Sequence, residues 1–378
     1  MQPIKRHLLI LCEAIEPPAY SPRVMSLVHY LTQQGWDCQL VPEPLSIRRE
    51  GWSDLLCQGR EKRYLQYVLQ TIGNQSFDLV FCSTYHYFPL QTASQIAQRL
   101  HCPLVTDLRD IREQWGKQGF YRRSFSCALF DKLIKRLYDC HMLRRRNRVL
   151  RQAAAVTTVS PWHQQTLQAY NEHTYCIYNG FDEQQLHPLN VLSSTFRIVY
   201  LGQLHSLKRR NPQMLFEALS ELTNQNIRVD FYSGAGCAEE LRQMAAYYHV
   251  PITVHGYVPR EQIEGIMQQA SILLILGQKA TSEGTHGIMT TKFFEGLGVE
   301  KPQLLIESDG ECLAQAFEYT NAGLAATSKE EIKQFISARY QEWLTKGVTH
   351  QRVQHKDEFT RQHQAEQFEQ LFLSLCQK

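Results

Sequence analysis

Apolar residues along this chain follow two alternating rhythms. Short β-rich runs, HLLILC from His7, CQLVP from Cys38, DLVFCS from Asp78, PLVTDL from Pro103 and AAVTTVS from Ala154, are separated by segments whose apolar positions recur at helical spacing. Ser21 to Gln34, closed by Gly35, and Gln91 to Leu100 are such segments. A polar stretch from Leu186 to Thr195 interrupts the alternation, which restarts with FRIVYLG at Phe196 and continues through RVDFYSG, ITVHG, SILLILG and QLLIE. Helices are expected over Asn211 to Leu222, from Ala238, from Arg260 and from Thr290. Strand and helix in strict turn predict an α/β chain of two doubly wound, Rossmann-like domains with parallel sheets. The expected division is 1–190 and 191–354, with a last helix over about 355–378 that no strand follows.

The bulk properties exclude several classes. At 378 residues the chain exceeds what one core usually supports. Its 40 basic and 37 acidic residues leave a formal charge of +3, too near balance for a dedicated nucleic-acid binder. Eleven cysteines stand singly, without a CxxC pair, which argues against a disulfide framework or a zinc site and for a reducing, cytoplasmic setting. The apolar run after Lys5 and Arg6 is too short for a signal peptide, and no stretch reaches the roughly 20 apolar residues of a membrane span.

Candidate chemistry follows the strands, where open α/β sheets bind ligands. In GIMTTKFFEGLGVEKP, Gly287 to Pro302, the residues Thr290, Thr291 and Lys292 open a short helix, Glu295 follows one turn on, and Gly298 and Pro302 are expected to stop it. A helix start with hydroxyls suits a phosphate, and a carboxylate one turn later suits a ribose. The same residues also fit a threonine cap with lysine and glutamate as solvated charges. Gly202 with Lys208, Arg209 and Arg210, then Gly234-Ala235-Gly236, then Tyr257-Val258-Pro259 follow three further strands. In the first half, TDLRDIREQW holds Asp107, Arg109, Asp110 and Trp115. Asp110 reads as a general base, or one of the two aspartates caps the next helix and pairs with Arg109 or Arg112. Glu13 and Arg23, in and after the loop that follows the first strand, are weaker candidates for contacts to a second substrate, whereas His86 in STYHYFP reads as structural. From Arg122 to Arg151, ten basic residues face two acidic ones, a local +8 with apolar residues interspersed. That composition suits an anionic membrane surface, or an ordinary helix with a solvated face.

Taken in order, YNGFD from Tyr178, YLGQLHSLKRRNP, the glycine of FYSGAG, HGYVPREQIEGIMQQASILLIL and TTKFFEGLGVEKP resemble the donor-binding domain of GT-B glycosyltransferases, in particular the retaining glycosyltransferase family 4. The resemblance covers Tyr178 to about Ile332, and the first half resembles the family in outline only. It implies two Rossmann-like domains facing a central cleft, and transfer of a sugar from a nucleotide diphosphate sugar to a carbohydrate or lipid-linked acceptor, as in cell-envelope polysaccharide assembly. It further implies that Arg209 or Arg210 and the Thr290–Thr291 helix start hold the diphosphate, that Glu295 holds the ribose, and that backbone at Tyr257 and Val258 holds the base. No metal or cofactor is called for, and retention of configuration follows from the resemblance alone. Two positions depart from the family pattern. Gly287 stands where the first of two glutamates is usual, with Glu283 the nearest substitute, and Gln203 stands where an arginine is common. A nucleotide-sugar epimerase and a non-catalytic nucleotide-binding subunit of the same architecture are the alternatives.

Overall fold

A computed structural model of the chain describes residues 6–13, 22–47, 58–118, 128–204, 206–222, 226–278, 286–308 and 310–376. Its described residues divide into two compact units: one runs to Tyr178 and takes in the chain again from Arg361, and the other lies between Asn179 and Thr360. The expected break stood at 190/191.

In the first unit, β1 (His7–Cys12), β2 (Asp37–Pro42), β3 (Leu79–Thr84), β4 (Leu104–Leu108), β5 (Ala155–Thr158) and β6 (Thr174–Cys176) form a parallel sheet in the order β2-β1-β3-β4-β5-β6. Successive side chains of a strand leave opposite faces, so each face acquires its own core. Leu8, Ile10 and Phe81 pack with α1 (Pro22–Gln33) and with the last helix of the chain, Arg361–Cys376, where Phe81 meets Phe368 and Phe372 at 5.2 and 5.4 Å between ring centres. Leu9, Leu11 and Val80 face α2 (Gln58–Ile72), α3 (Leu90–Leu100) and α4 (Ala128–Gln152). The helix α5 (Pro161–Gln168) follows β5.

Glu61 of α2 completes the start of α3. The α3 N-cap position is Pro89, which offers no side-chain bond, and Glu61 Oε2 instead accepts the Thr92 N–H at 2.9 Å and its hydroxyl at 2.6 Å. Burial pushes this carboxyl up to about 7 from an ordinary 4.5, although the Thr92 bonds pull the other way. The folded protein therefore keeps a proton that the unfolded chain releases, and stability falls as pH rises from about 4.5 to about 7. Glu61→Gln should remove that loss. Urea unfolding at pH 5 and pH 8 checks it: the variant gains on the parent at the higher pH, and a pH-independent difference contradicts the assignment.

In the second unit, β7 (Phe196–Leu201), β8 (Ile227–Tyr232), β9 (Ile252–His255), β10 (Ile272–Leu276), β11 (Gln303–Ile306) and β12 (Gly323–Ala326) form a parallel sheet ordered β12-β11-β10-β7-β8-β9. Its helices are α6 (Gln213–Ser220), α7 (Ala238–Tyr247), α8 (Arg260–Gln268), α9 (Thr291–Val299), α10 (Cys312–Thr320) and α11 (Lys329–Lys346). The strand order reverses between β7 and β10 here, and between β1 and β3 in the first unit, which places a crevice beyond the carboxyl ends of those strand pairs.

Two sequence expectations are corrected. Gly298 does not end α9; it lies inside the helix, where an added Cβ would come within 2.7 Å of the Phe181 ring, and the turn is made by Glu300 at φ +51°. Close packing, not termination, explains this glycine. The last helix, α12, begins at Arg361 rather than near His355, because Lys356–Phe359 forms a separate 3-10 turn in the second unit.

Candidate functional site

The crevice of the second unit is lined from both sides of its strand reversal. After β7 the chain turns through Gly202 at φ +151°, a conformation that favours glycine. A Cβ added there would lie 3.5 Å from the Tyr200 hydroxyl and 3.8 Å from Lys292 Cε, so Lys292 passes close over this turn. Arg210 folds back onto the same loop, its NH1 donating to the Gln203 carbonyl at 2.8 Å and to the Tyr200 hydroxyl at 3.2 Å. Lys208 and Arg209 are exposed beside it. On the other side, Thr290 caps α9, its hydroxyl accepting the Lys292 N–H at 3.4 Å, and Thr291 opens the helix at an exposed position. Lys292 Nζ donates to Glu295 Oε2 at 2.9 Å, with both side chains 28% exposed. Gly202, Arg210, Thr290, Lys292 and Glu295 therefore belong to one neighbourhood, with positive charge, a helix start and a carboxylate together.

The remaining donor-side candidates lie at the ends of β8 and β9. Gly234 is exposed and begins a short turn after β8. Tyr257 is 73% exposed and Val258 partly buried after β9. Beneath that loop His255 stacks on Tyr232 at 4.2 Å and bonds Asp230, a 2% exposed aspartate, at 3.0 Å. Gly287 stands at φ +64°, which a glutamate would adopt only under strain. Glu283 lies outside the described residues.

In the first unit the candidates separate. Asp107 is wholly buried and Arg23 is 2% exposed, and they are engaged with each other: Asp107 accepts from Arg23 at 3.0 and 2.8 Å, from Ser83 at 2.9 Å and from Thr157 at 2.8 Å. Burial alone would raise the Asp107 carboxyl, but the Arg23 guanidinium holds it below its ordinary range. Arg23 also donates to the Tyr178 carbonyl at 3.0 Å. Neither residue presents a surface to an acceptor here, and together they brace β4, α1 and Tyr178, where the first stretch of this unit ends. Glu13 and Thr84 meet across the β1–β3 reversal, with the hydroxyl 3.4 Å from the carboxylate. Arg109 lies over the Tyr85 ring at 3.7 Å, and its charge also helps to hold the Asp107 carboxyl down. Asp110 is partly exposed and accepts from Gln114 at 2.8 Å, and Trp115 is partly exposed in the next turn.

The basic stretch is mostly the helix α4; residues 122–127 lie outside those described. Arg146 points inward, 1% exposed, and holds Glu113 at 2.8 and 2.6 Å. Arg136, Arg144, Arg148 and Arg151 are exposed, together with Leu133 at 54% and Leu137 at 58%.

No protein family and no curated sequence matches this chain. Solved structures do. A glycosyltransferase from Rickettsia africae superposes with a TM-score of 0.65 at 13% identity, over 98% of this chain and 99% of that one. The Anabaena protein HepE, solved in complex with UDP-glucose, gives 0.61 at 14% over 98% and 100%. A putative UDP-N-acetylglucosamine 2-epimerase from Listeria monocytogenes gives 0.56 at 11% over 95% and 94%. The fold is GT-B. Both halves of that GT-B fold are present, since each comparison spans nearly the whole of both chains.

Several polar residues of this GT-B chain carry little or no signal in the sequence. Tyr200 and Asp230 are polar positions in strands that are apolar but for Arg197 and Arg228, which is the available signal for them. His163, two residues beyond the Ser160-Pro161 start of α5, carried none.

Proposed function

We propose that this chain is a glycosyltransferase that moves a sugar from a nucleotide diphosphate sugar to a carbohydrate or lipid-linked acceptor in polysaccharide or glycan assembly. One observation carries the proposal: Arg210 and Lys292 converge over Gly202 at the strand reversal, with the start of α9 and Glu295 beside them. Arg210, Lys292, Lys208, Arg209 and Thr291 would hold the diphosphate, Glu295 the ribose, and the backbone at Tyr257 and Val258 the base. The Lys292–Glu295 pair does not obstruct this, because a partly exposed ion pair contributes only about 0.2–1 kcal/mol. Positive charge here stabilises the leaving diphosphate as it develops, which is where such sites gain most of their rate. Arg209 serves that charge and Asp110 orients or deprotonates the acceptor hydroxyl, with Glu13 and Trp115 alongside. Same-face transfer with retention, without a metal, fits this set.

Gly287 supports a second reading, a nucleotide-binding subunit without turnover, because its left-handed backbone gives no place for a glutamate. The epimerase alternative needs free acid and base groups in this crevice, whereas Glu295 is paired with Lys292, and His286, beside Gly287, is paired with Glu311 at 3.2 Å. A panel of UDP-, GDP- and ADP-sugars separates the three. Nucleotide release from at least one supports the transferase, binding without release supports the subunit, and interconversion of sugar epimers overturns both.

The exposed face of α4 favours work beside an anionic membrane on the cytoplasmic side. Four exposed arginines contribute about 1 kcal/mol each near such a surface, and Leu133 and Leu137 supply apolar contact. Arg144→Glu with Arg148→Glu should abolish co-sedimentation with phosphatidylserine vesicles. Retention of the double variant, or equal binding to neutral vesicles, contradicts this role.

A further inference from the structure

The loops that follow β10 and β11 are pressed together where they begin. A Cβ added to Gly277, just after β10, would lie 2.5 Å from the backbone oxygen of Glu307, just after β11. Further along the same two loops stand His286, beside Gly287, and Glu311, at the N-cap position of α10. The Glu311 carboxylate makes no bond to the helix start it precedes. It meets the His286 ring instead, with Nδ1 at 3.2 Å from Oε1 and 3.4 Å from Oε2, and the two side chains remain 27% and 37% exposed. An ionised carboxylate only accepts, so the ring donates from Nδ1, and when neutral it presents its Nε2 lone pair as a second acceptor. One N–H leaves most of the carboxylate's lone-pair positions open to further donors.

Strand order indicates whose donors these are. The sheet runs β12-β11-β10-β7-β8-β9. With the base beyond β9 and the diphosphate at the turn after β7, a group attached past the diphosphate continues over the ends of β10 and β11. Neighbouring strands lie about 4.8 Å apart, which puts β11 about 10 Å beyond β7. Glu311 would repel an anion there, whereas Arg210 and Lys292 attract the phosphates to the β7 side. A cation needs more ligands than this pair, and among the described residues no group of three His, Cys, Asp or Glu side chains is placed to hold one. Sugar hydroxyls can donate to both acceptors at once.

We propose that Glu311 and His286 bind hydroxyls of the transferred sugar and set which sugar is accepted, the neighbouring loop supplying a carboxylate that the left-handed backbone at Gly287 does not. This deepens the donor reading above and rests on it. Titration calorimetry of the full chain with UDP, GDP and ADP, and with UDP-glucose, UDP-galactose, GDP-mannose and ADP-glucose, tests it. For the nucleotide that binds, Glu311→Gln should leave the dissociation constant of the diphosphate within about threefold. It should raise that of a sugar ester of the same nucleotide about tenfold or more, the loss of one charge-assisted hydrogen bond. His286→Leu removes the second acceptor and should show the same sugar-only loss, of about threefold or more. Without ligand both variants should melt within about 4 °C of the parent, since a partly exposed pair contributes little to stability. If one variant does not fold, the other carries the test. Equal weakening of diphosphate and sugar ester marks a pair that only braces the loops and overturns the proposal, as does a sugar ester bound unchanged by the variants. A parent chain that binds none of the diphosphates fails the donor reading itself and takes this proposal with it, a result seen before any substitution is made.

Discussion

Replacing Glu295 by alanine should weaken binding of a nucleoside diphosphate about 100-fold and leave the free protein's stability nearly unchanged. Two charge-assisted hydrogen bonds to a ribose are worth about 1.5–3 kcal/mol each, so losing both costs at least about 3 kcal/mol. What the free protein loses is the Lys292–Glu295 contact, a surface pair with both side chains 28% exposed, worth only about 0.2–1 kcal/mol. The asymmetry identifies the residue as a ligand contact and not a structural one. Titration calorimetry gives the first quantity and a melting curve without ligand the second. A dissociation constant within about threefold of the parent means that Glu295 does not hold the ribose, because even one such bond exceeds that factor.

Asp107→Ala should cost the first unit about 3–5 kcal/mol, because it leaves the Arg23 guanidinium buried without its counter-charge. At about 2–4 °C for each kcal/mol in a domain of this size, its calorimetric transition should fall by about 10 °C. The carboxyl is held below its ordinary range in the folded state, so its contribution is present at neutral pH and is lost as the solution becomes strongly acidic. Arg23→Met with Asp107→Leu removes both charges and should recover much of the loss, since a buried pair replaced by apolar residues is often neutral. A single variant that melts within about 2 °C of the parent contradicts a bracing role, because that shift corresponds to less than about 1 kcal/mol.

The strand and helix rhythm made the α/β, parallel architecture legible, because short β-rich runs separated by helical periods have few other solutions. The α9 cap at Thr290 was legible for the same local reason. Burial of particular polar residues was not. Asp107 reads as one polar residue of TDLRD, and only the neighbouring strands, which bring Ser83 and Thr157 against it, turn it into the centre of an ion-pair network. Arg23 lies 84 residues away in sequence. Gly298 looked like a helix stop because local propensity says so, yet contact with Phe181 decides its identity. Glu61 gave no signal at all, since the helix it caps lies on a different segment.

The second unit should bind a nucleoside diphosphate through the charges and helix start gathered at Gly202. Melting curves of the intact chain with UDP, GDP, ADP and CMP test this most directly, because a ligand bound only by the folded state stabilises it by RT ln(1 + [L]/Kd), about 2.7 kcal/mol at a hundredfold excess over Kd. One diphosphate should raise the melting temperature in proportion to the logarithm of its concentration, and that rise should shrink in Lys292→Ala. Curves unmoved by every diphosphate, with the protein folded at the outset, would contradict the assignment.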